Sequence, residues 1–176
     1  GYSTGVPGLM WSWNKCKSSP ITRLTSNITT IKSGIDNMQA RDKTYIPAGL
    51  MWGWRLISNS IPFADGAPYS DKSVKKVILL MTDGANTKSK KTGEKEHEGH
   101  DVAAANSVTR QVCQNIAAKK IRIYTIAFQV TDLTIKKLLQ TCAANGGYYV
   151  SAASNSALKQ AFEDIAESLI KLRLTK

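Results

Sequence analysis

The sequence lacks long hydrophobic runs and is poor in the residues that build catalytic and metal sites. Its longest unbroken apolar segment, residues 77–81, is far shorter than the about 20 residues that a membrane-spanning helix needs. Both histidines, His97 and His100, lie in one polar loop, and the three cysteines show neither a CxxC pair nor zinc-ligand spacing. No nucleophile elbow or glycine-rich phosphate loop is present. These absences exclude a membrane span in this sequence and disfavour hydrolytic catalysis.

What the sequence has in excess is positive charge. Its 176 residues fit one domain of ordinary size, and 42% hydrophobic and 21% charged residues are typical of globular proteins. Lys and Arg number 24 against 13 Asp and Glu, a net charge of +11 that favours acidic partners. The lysines scatter, apart from a dense run at 88–95. We interpret them as a solvated basic surface, with non-specific binding of nucleic acid or anionic lipid as the alternative.

The first 25 residues carry no periodic pattern. We interpret residues 1–25 as an irregular lead-in and residues 26–176 as the domain itself. The chain opens with Gly1 and shows no signal-peptide pattern, which favours a processed product or a piece of a longer protein.

From residue 26 onward, hydrophobic periodicity predicts alternating helices and strands. Apolar residues three and four apart predict helices, and continuous β-branched runs predict buried strands. The predicted helices span residues 27–39, 48–58, 101–119, 132–143 and 155–172, and the predicted strands span 74–82, 121–128 and 148–151. Segment 74–82 is typical of a central strand that is covered on both faces. Residues 59–73 and 85–100 are predicted loops.

This alternation predicts an α/β fold: three layers of Rossmann-like type, with a mostly parallel sheet and right-handed crossovers. Sheets average about five or six strands, and fewer are visible here. We therefore expect a sheet that is incomplete on its amino-terminal side.

One carboxylate lies where such folds bind ligands. Asp83 directly follows the predicted strand 74–82, and open α/β sheets bind ligands outside the carboxyl ends of their strands. A carboxylate there can hold a hard cation or accept hydrogen bonds from backbone donors. A plain turn made by Asp83 and Gly84 is the alternative.

Two segments carry a resemblance to a known family. TYIPAGLMWGWR at residues 44–55 and VILLMTDGAN at 77–86 resemble a von Willebrand factor A (vWA) domain. More narrowly, they are similar to the carboxy-terminal domain of TadG-type Flp pilus assembly proteins of bacteria. IYTIAF at 123–128, LLQTCA at 138–143 and LKQAFEDIA at 158–166 extend the resemblance over about residues 16–172. It implies the vWA fold without its amino-terminal part.

The resemblance also implies a metal-ion-dependent adhesion site. In that family an Asp-x-Ser-x-Ser segment after the first strand, a Thr from a second loop and an Asp from a third hold a divalent ion, usually Mg²⁺. The matching positions are Thr44 and Asp83. No Asp-x-Ser-x-Ser occurs in the sequence, whereas Mg²⁺ demands near-ideal octahedral coordination by oxygen. We therefore expect a partial site with weak or no Mg²⁺ binding.

The function that the resemblance implies is non-catalytic. It is protein–protein interaction in the assembly or envelope anchoring of a Flp (Tad) pilus, on the periplasmic side and with the membrane anchor in a segment absent here. The expected partner is a pilus or envelope protein that presents a carboxylate. The predicted partner-binding residues are Asn86, Lys88, Lys90 and Lys91, whose lysines would steer an acidic surface.

Other functions stay open at this point. Asp83 could serve an enzyme as a phosphoryl acceptor or general base, although the sequence offers no second acid or base nearby. The chain could also be a truncated, non-functional fragment that folds poorly because its central strand is missing.

Cys113 and Cys142 lie on the predicted helices that flank strand 121–128. Consecutive crossover helices can lie on one face of a sheet, so a disulfide between them is possible, and two separate buried thiols are the alternative. A disulfide would suit an oxidising compartment such as the periplasm. Cys16 would then remain as the spare thiol.

Overall fold

The computed structural model describes residues 19–40, 43–90 and 99–174. The chain divides into two compact units, residues 1–42 and 43–176. Residues 1–18 of the predicted lead-in lie outside the described residues, and 19–25 form neither helix nor strand.

The first unit contains a short amphipathic helix, α1 (Ile28–Asp36). The side chain of Asn27 caps it by accepting a hydrogen bond from the Thr30 backbone N–H at 3.1 Å. This confirms the helix predicted at 27–39. The structure buries none of its residues, and Ile28 is 67% exposed and Ile35 56%. The apolar stripe that identifies the helix in the sequence therefore lacks a cover among the described residues.

The second unit is an α/β fold on a three-stranded parallel sheet, which confirms the predicted α/β class. The strands lie in the order β1-β2-β3 and pair in parallel. The elements are α2 (Ile46–Leu56), β1 (Val77–Thr82), α3 (Val102–Ala118), β2 (Arg122–Phe128), α4 (Leu133–Ala143), β3 (Tyr149–Ala152) and α5 (Asn155–Leu174).

Helices cover both faces of this sheet. Residues of α2, α3 and α4 form one apolar cluster with Ile78 and Ile123 on the first face. Ala161 and Ile165 of α5 pack against Tyr124 on the opposite face. Because side chains alternate between the faces of a strand, β1 and β2 contribute to both clusters, and the sheet is the middle of three layers.

The position of β1 differs from the prediction. The sequence suggested that segment 74–82 is a central strand covered on both faces, but β2 is the central strand of the described sheet. Leu79 of β1 is 38% exposed and Met81 49%. The reason is that the backbone of α5 lies close to β2 and β3 but not to β1, so among the described residues no helix covers Leu79 and Met81, whereas Val77 packs against the α5-side cluster.

The turn into β3 depends on glycine. Gly146 has a φ of +79°, which side chains other than glycine rarely adopt. A Cβ at Gly147 would overlap the carbonyl oxygen of Ile123. The backbone of Gly147 also donates a hydrogen bond to Ala143 at the end of α4 (3.0 Å). The chain therefore passes closely under β2 before it forms β3.

A disulfide joins Cys113 of α3 to Cys142 of α4, with the two Cα atoms 5.2 Å apart. Both cysteines are buried within the apolar cluster of α2, α3 and α4. The structure thus adopts the paired alternative for these cysteines. In the part of the chain that the structure describes, no helix is both long and apolar enough to cross a membrane.

We expect the disulfide to contribute substantially to stability. The two cysteines are 29 residues apart. Closing a loop of this size lowers the conformational entropy of the unfolded chain, which stabilises the folded state by about 3–4 kcal/mol. Replacing both by alanine, Cys113→Ala/Cys142→Ala, should lower the free energy of unfolding in urea by about this amount.

Cys16→Ala is the matched control and should leave the denaturation midpoint unchanged under oxidising conditions. If Cys16→Ala destabilised the chain as much as the double variant did, the pairing would be wrong.

Candidate functional site

Three segments meet at the carboxyl end of β1. Residues 43–46 lead into α2, residues 82–90 leave β1, and residues 99–106 lead into α3. Hydrogen bonds tie the first segment to the second and the second to the third. We call this end of the domain the upper surface.

Asp83 is exposed on the upper surface, immediately after β1. Thr82, which is buried, shapes the turn: its Oγ1 donates to the Gly84 carbonyl at 2.9 Å and accepts from the Gly84 N–H at 3.3 Å. This local pattern is typical of Ser and Thr at turns. It leaves the Asp83 carboxylate facing solvent, where it can accept hydrogen bonds or meet a cation.

Thr44 is held beside this turn by its backbone. The N–H groups of Thr87 and Lys88 both donate to the Thr44 carbonyl, at 2.8 and 3.1 Å. The Thr44 N–H in turn donates to Thr87 Oγ1 at 2.7 Å. Burial raises the pKa of the adjacent Tyr45, so its phenol remains protonated at neutral pH. The structure therefore ties the loop of Thr44 to residues 87 and 88 of the segment that leaves β1 after Asp83.

Asn86 lies inside the domain, at 1% exposure. Its Oδ1 accepts a hydrogen bond from the Ile46 N–H at 2.7 Å. Ile46 is the first residue of α2, and Tyr45, at the N-cap, provides no side-chain cap. Because the first N–H groups of a helix lack partners within the helix, Asn86 replaces the missing cap from another segment.

The amide nitrogen of Asn86 is used as well. Nδ2 donates to Asn106 Oδ1 at 2.8 Å and lies 3.4 Å from Thr109 Oγ1. Thr109, fully buried, donates to the Ala105 carbonyl at 2.8 Å. A fully satisfied polar cluster thus links β1, α2 and α3.

The start of α3 is fixed to the same loop. Ser89 donates its N–H to the Gly99 carbonyl at 2.7 Å, and its Oγ accepts from the Asp101 N–H at 2.9 Å. His100 Nδ1 lies 3.1 Å from the Thr87 carbonyl oxygen. Asp101 caps α3 by accepting from the Ala104 N–H at 2.8 Å. The predicted loop 85–100 is thus anchored at both of its described ends.

The predicted partner-binding residues have different environments. Asn86 is buried and its amide is occupied, so it cannot form the direct contact expected of it. Its burial follows from the cap that α2 requires. Lys88 is half-buried and Lys90 is exposed, both on the loop beside Thr44. Lys91 lies outside the described residues, as does His97.

Four residues that shape the upper surface were not predicted from the sequence: Thr87, Ser89, Asn106 and Thr109. A signal existed for Asn106 and Thr109, because they lie three residues apart on the apolar side of a helix. The structure buries these two residues with Ala105 and Val112.

The described residues do not fit a resident Mg²⁺ ion. One exposed carboxylate and one threonine hydroxyl supply fewer oxygens than the octahedral shell requires, and Thr82 Oγ1 is already used by the turn. No group of three or more His, Cys, Asp or Glu side chains that could hold a metal occurs in residues 19–40, 43–90 and 99–174.

A second concave region lies at the opposite end of β2. This open cleft has a volume of about 580 Å³ and is lined by residues of β2, of the Gly146–Tyr148 turn and of α5. Tyr124 and Ser168 share a hydrogen bond of 3.1 Å on its wall. Its charged lining residues have both signs: Arg122, Lys171, Asp164 and Glu167. None of the predicted site residues lies there.

In its fold, the chain is similar to part of a solved structure. The crystal structure of the pilus adhesin SpaC from Lactobacillus rhamnosus GG matches 82% of this chain with a TM-score of 0.60 and 16% sequence identity. The match spans 21% of that longer chain. Neither the protein-family models nor the curated proteins give a match.

We expect Asn86 to be a major source of stability on the upper surface. Asn86→Ala would leave the Ile46 N–H and Asn106 Oδ1 without their Asn86 partner in a buried region, at about 1–3 kcal/mol for each such group. The free energy of unfolding should fall by about 3 kcal/mol, measured by urea denaturation.

Asn115→Ala is the matched control, because Asn115 is an exposed asparagine on α3. It should change the free energy of unfolding by no more than about 0.5 kcal/mol. Equal losses in the two variants would contradict the role of Asn86.

We also expect Mg²⁺ to bind weakly at most. Titration of the chain with MgCl₂ by isothermal calorimetry should give no sub-millimolar affinity, and the thermal midpoint should not rise with added Mg²⁺. A sub-millimolar affinity that Asp83→Asn abolished would show that the site is complete.

Proposed function

We propose that this chain is a vWA-type domain that acts by protein–protein interaction in the assembly or envelope anchoring of a Flp-type pilus. The observation that carries the proposal is the convergence of the Thr44 and Asp83 loops at the carboxyl end of a parallel strand. Hydrogen bonds hold these loops together. The fold similarity to part of a pilus adhesin supports a pilus-related role in adhesion.

The binding surface that we propose comprises Thr44, Asp83, Lys88 and Lys90. Its lysines belong to a chain with a net charge of +11, so an acidic partner would be attracted over a distance of about 8 Å at physiological salt. A partner carboxylate fits best beside these lysines. The interaction that we propose relies on charge and on the fixed shape of the upper surface.

A non-catalytic role is favoured by the surroundings of Asp83. The described residues bring no histidine, lysine or second carboxylate into hydrogen-bonding contact with it, and general acid–base chemistry requires such a partner within reach. The polar side chains of the neighbouring loops already form hydrogen bonds that fix the loop conformations. They are those of Thr82, Thr87 and Asn86. Such an arrangement suits recognition better than turnover.

The compartment that we propose is the outer side of the cytoplasmic membrane. The Cys113–Cys142 disulfide supports this location, because such bonds persist in oxidising compartments. Membrane attachment, as in the TadG-type proteins that the sequence resembles, would come from a segment outside this chain.

The proposal can be tested with purified Flp-type pili immobilised on a sensor surface. Lys88→Glu/Lys90→Glu should slow the association of the chain by about tenfold at low salt, since charges at the edge of an interface act mainly on the association rate. The control is Lys119→Glu/Lys137→Glu, which changes the net charge equally at exposed positions elsewhere.

An equal loss in both double variants would indicate non-specific attraction of a basic surface. Absence of binding by the unmodified chain would contradict the proposed function. Binding that collapses with salt on DNA or on anionic vesicles as readily as on pili would favour the non-specific alternative.

A further inference from the structure

A single asparagine in the chain is followed directly by glycine. Asn145 precedes Gly146 in the turn between α4 and β3, and every other asparagine is followed by a residue with a side chain. Both residues are exposed, and Gly146 has a φ of +79°. Because Gly146 has no Cβ, no side chain on it shields its backbone nitrogen from the asparagine before it. An asparagine amide and a backbone nitrogen in this arrangement can react with each other.

Neither reacting group is engaged in another interaction. In the part of the chain that the structure describes, the side-chain amide of Asn145 and the N–H of Gly146 form no hydrogen bond. The turn is closed one residue later, where the Gly147 N–H donates to the Ala143 carbonyl at 3.0 Å. By contrast, the buried Asn86 uses both ends of its amide in hydrogen bonds. The turn therefore leaves the Asn145 amide and the adjacent nitrogen free to react.

A cation lies beside the same turn. Arg122 begins β2 and is half-buried, and its Nε lies 3.8 Å from the position that a Cβ on Gly146 would occupy. Within the described residues, its guanidinium forms no ion pair. A positive charge at this distance favours the deprotonated, anionic form of the Gly146 nitrogen. That form is the one that attacks a carbonyl carbon.

We propose that Asn145 is a site of spontaneous deamidation through a cyclic imide. The Gly146 nitrogen loses its proton to solvent and forms a bond to Cγ of Asn145. The bond from Cγ to Nδ2 then breaks, and the nitrogen leaves as ammonia after taking a proton from solvent. Water is the second reactant: it adds to one carbonyl of the imide and breaks the bond from that carbonyl to nitrogen. The turn lies outside the upper surface, so the inference goes beyond the function proposed above.

The two hydrolysis products differ in their backbone. Addition of water to the side-chain carbonyl gives aspartate at position 145 and leaves the main chain unchanged. Addition to the main-chain carbonyl gives isoaspartate, in which the main chain passes through Cβ and gains one carbon atom. Both products carry a new negative charge next to Gly146, the residue beside which Arg122 lies.

The structure has no room for the isoaspartate product. Gly147 packs so closely under β2 that a Cβ on it would overlap the Ile123 carbonyl oxygen. The next carbonyl, of Tyr148, accepts a hydrogen bond from the Thr125 N–H at 2.8 Å. An extra main-chain carbon at position 145 would displace one of these contacts. The isoaspartate form should therefore be less stable than the unmodified chain, whereas the aspartate form keeps both contacts.

Peptide mapping of the intact, oxidised chain tests the proposal. The chain is incubated at mildly alkaline pH, reduced and digested with trypsin, which releases residues 138–159 as one peptide. This peptide contains Asn145 and also Asn155, an exposed asparagine that is followed by serine and serves as the internal control. Tandem mass spectrometry should locate the deamidation at Asn145, at a rate several times that at Asn155.

Substitutions test the chemistry of the step. Asn145→Gln would require a larger ring and should nearly abolish the loss of ammonia at this position. Arg122→Gln removes the positive charge and should slow the reaction by about threefold to tenfold, whereas Arg122→Lys should keep most of the rate. Lys136→Gln is the matched control, because Lys136 is also half-buried but lies on α4 away from the turn, and it should leave the rate unchanged. Circular dichroism checks that all variants fold.

Urea denaturation of the aged chain provides a second readout. The isoaspartate form, separated by chromatography, should unfold at a lower urea concentration than the fresh chain. Asn145→Asp, which has the charge of the product without the longer backbone, should unfold close to the midpoint of the fresh chain.

Three outcomes would overturn the inference. Equal rates at Asn145 and Asn155 would mean that the turn does not promote the reaction. Equal rates in Arg122→Gln and the unmodified chain would mean that the neighbouring charge has no part in it. Equal urea midpoints of the isoaspartate form and the fresh chain would mean that the turn accommodates the longer backbone.

Discussion

The upper surface depends on one buried amide. Asn86 accepts a hydrogen bond from the first residue of α2 and donates to α3, while its own backbone continues the loop that leaves β1. Without it, the start of α2 would have an unsatisfied N–H inside the domain, which is costly. The spacing between the Thr44 and Asp83 loops therefore depends on the hydrogen bonds of the buried Asn86 amide. The residues that a partner would meet are positioned by a residue that no partner can reach.

Much of the fold could be predicted from the sequence because periodicity reports burial. The helix at α4 and the strand at β2 were predicted within about two residues, which is the usual uncertainty of element ends. What failed was the environment of individual residues. In α3 the apolar residues Val102 and Val108 are exposed, whereas the polar residues Asn106 and Thr109 are buried. Hydrophobicity alone could not reveal that a helix turns polar side chains inward to satisfy a distant loop.

The candidate site shows the same division. Asp83 could be predicted from the residues, because a carboxylate after a buried strand lies at the ligand-binding edge of such sheets. Thr44 followed only from the family resemblance, since its pairing with Thr87 joins positions far apart in the chain. The edge position of β1 in the described sheet could not be predicted, because a continuous apolar run is equally compatible with a central strand and with an edge strand.

Gly147 has a consequence for how surfaces of this domain can diversify. Any side chain there would collide with the Ile123 carbonyl, so the turn before β3 tolerates neither substitution nor lengthening without displacing the central strand. The turn directly after β1 is freer, because a Cβ at Gly84 would meet no atom within 4 Å. New side chains, whether from natural drift or from library selection, are therefore accommodated more easily at Gly84 than at Gly147.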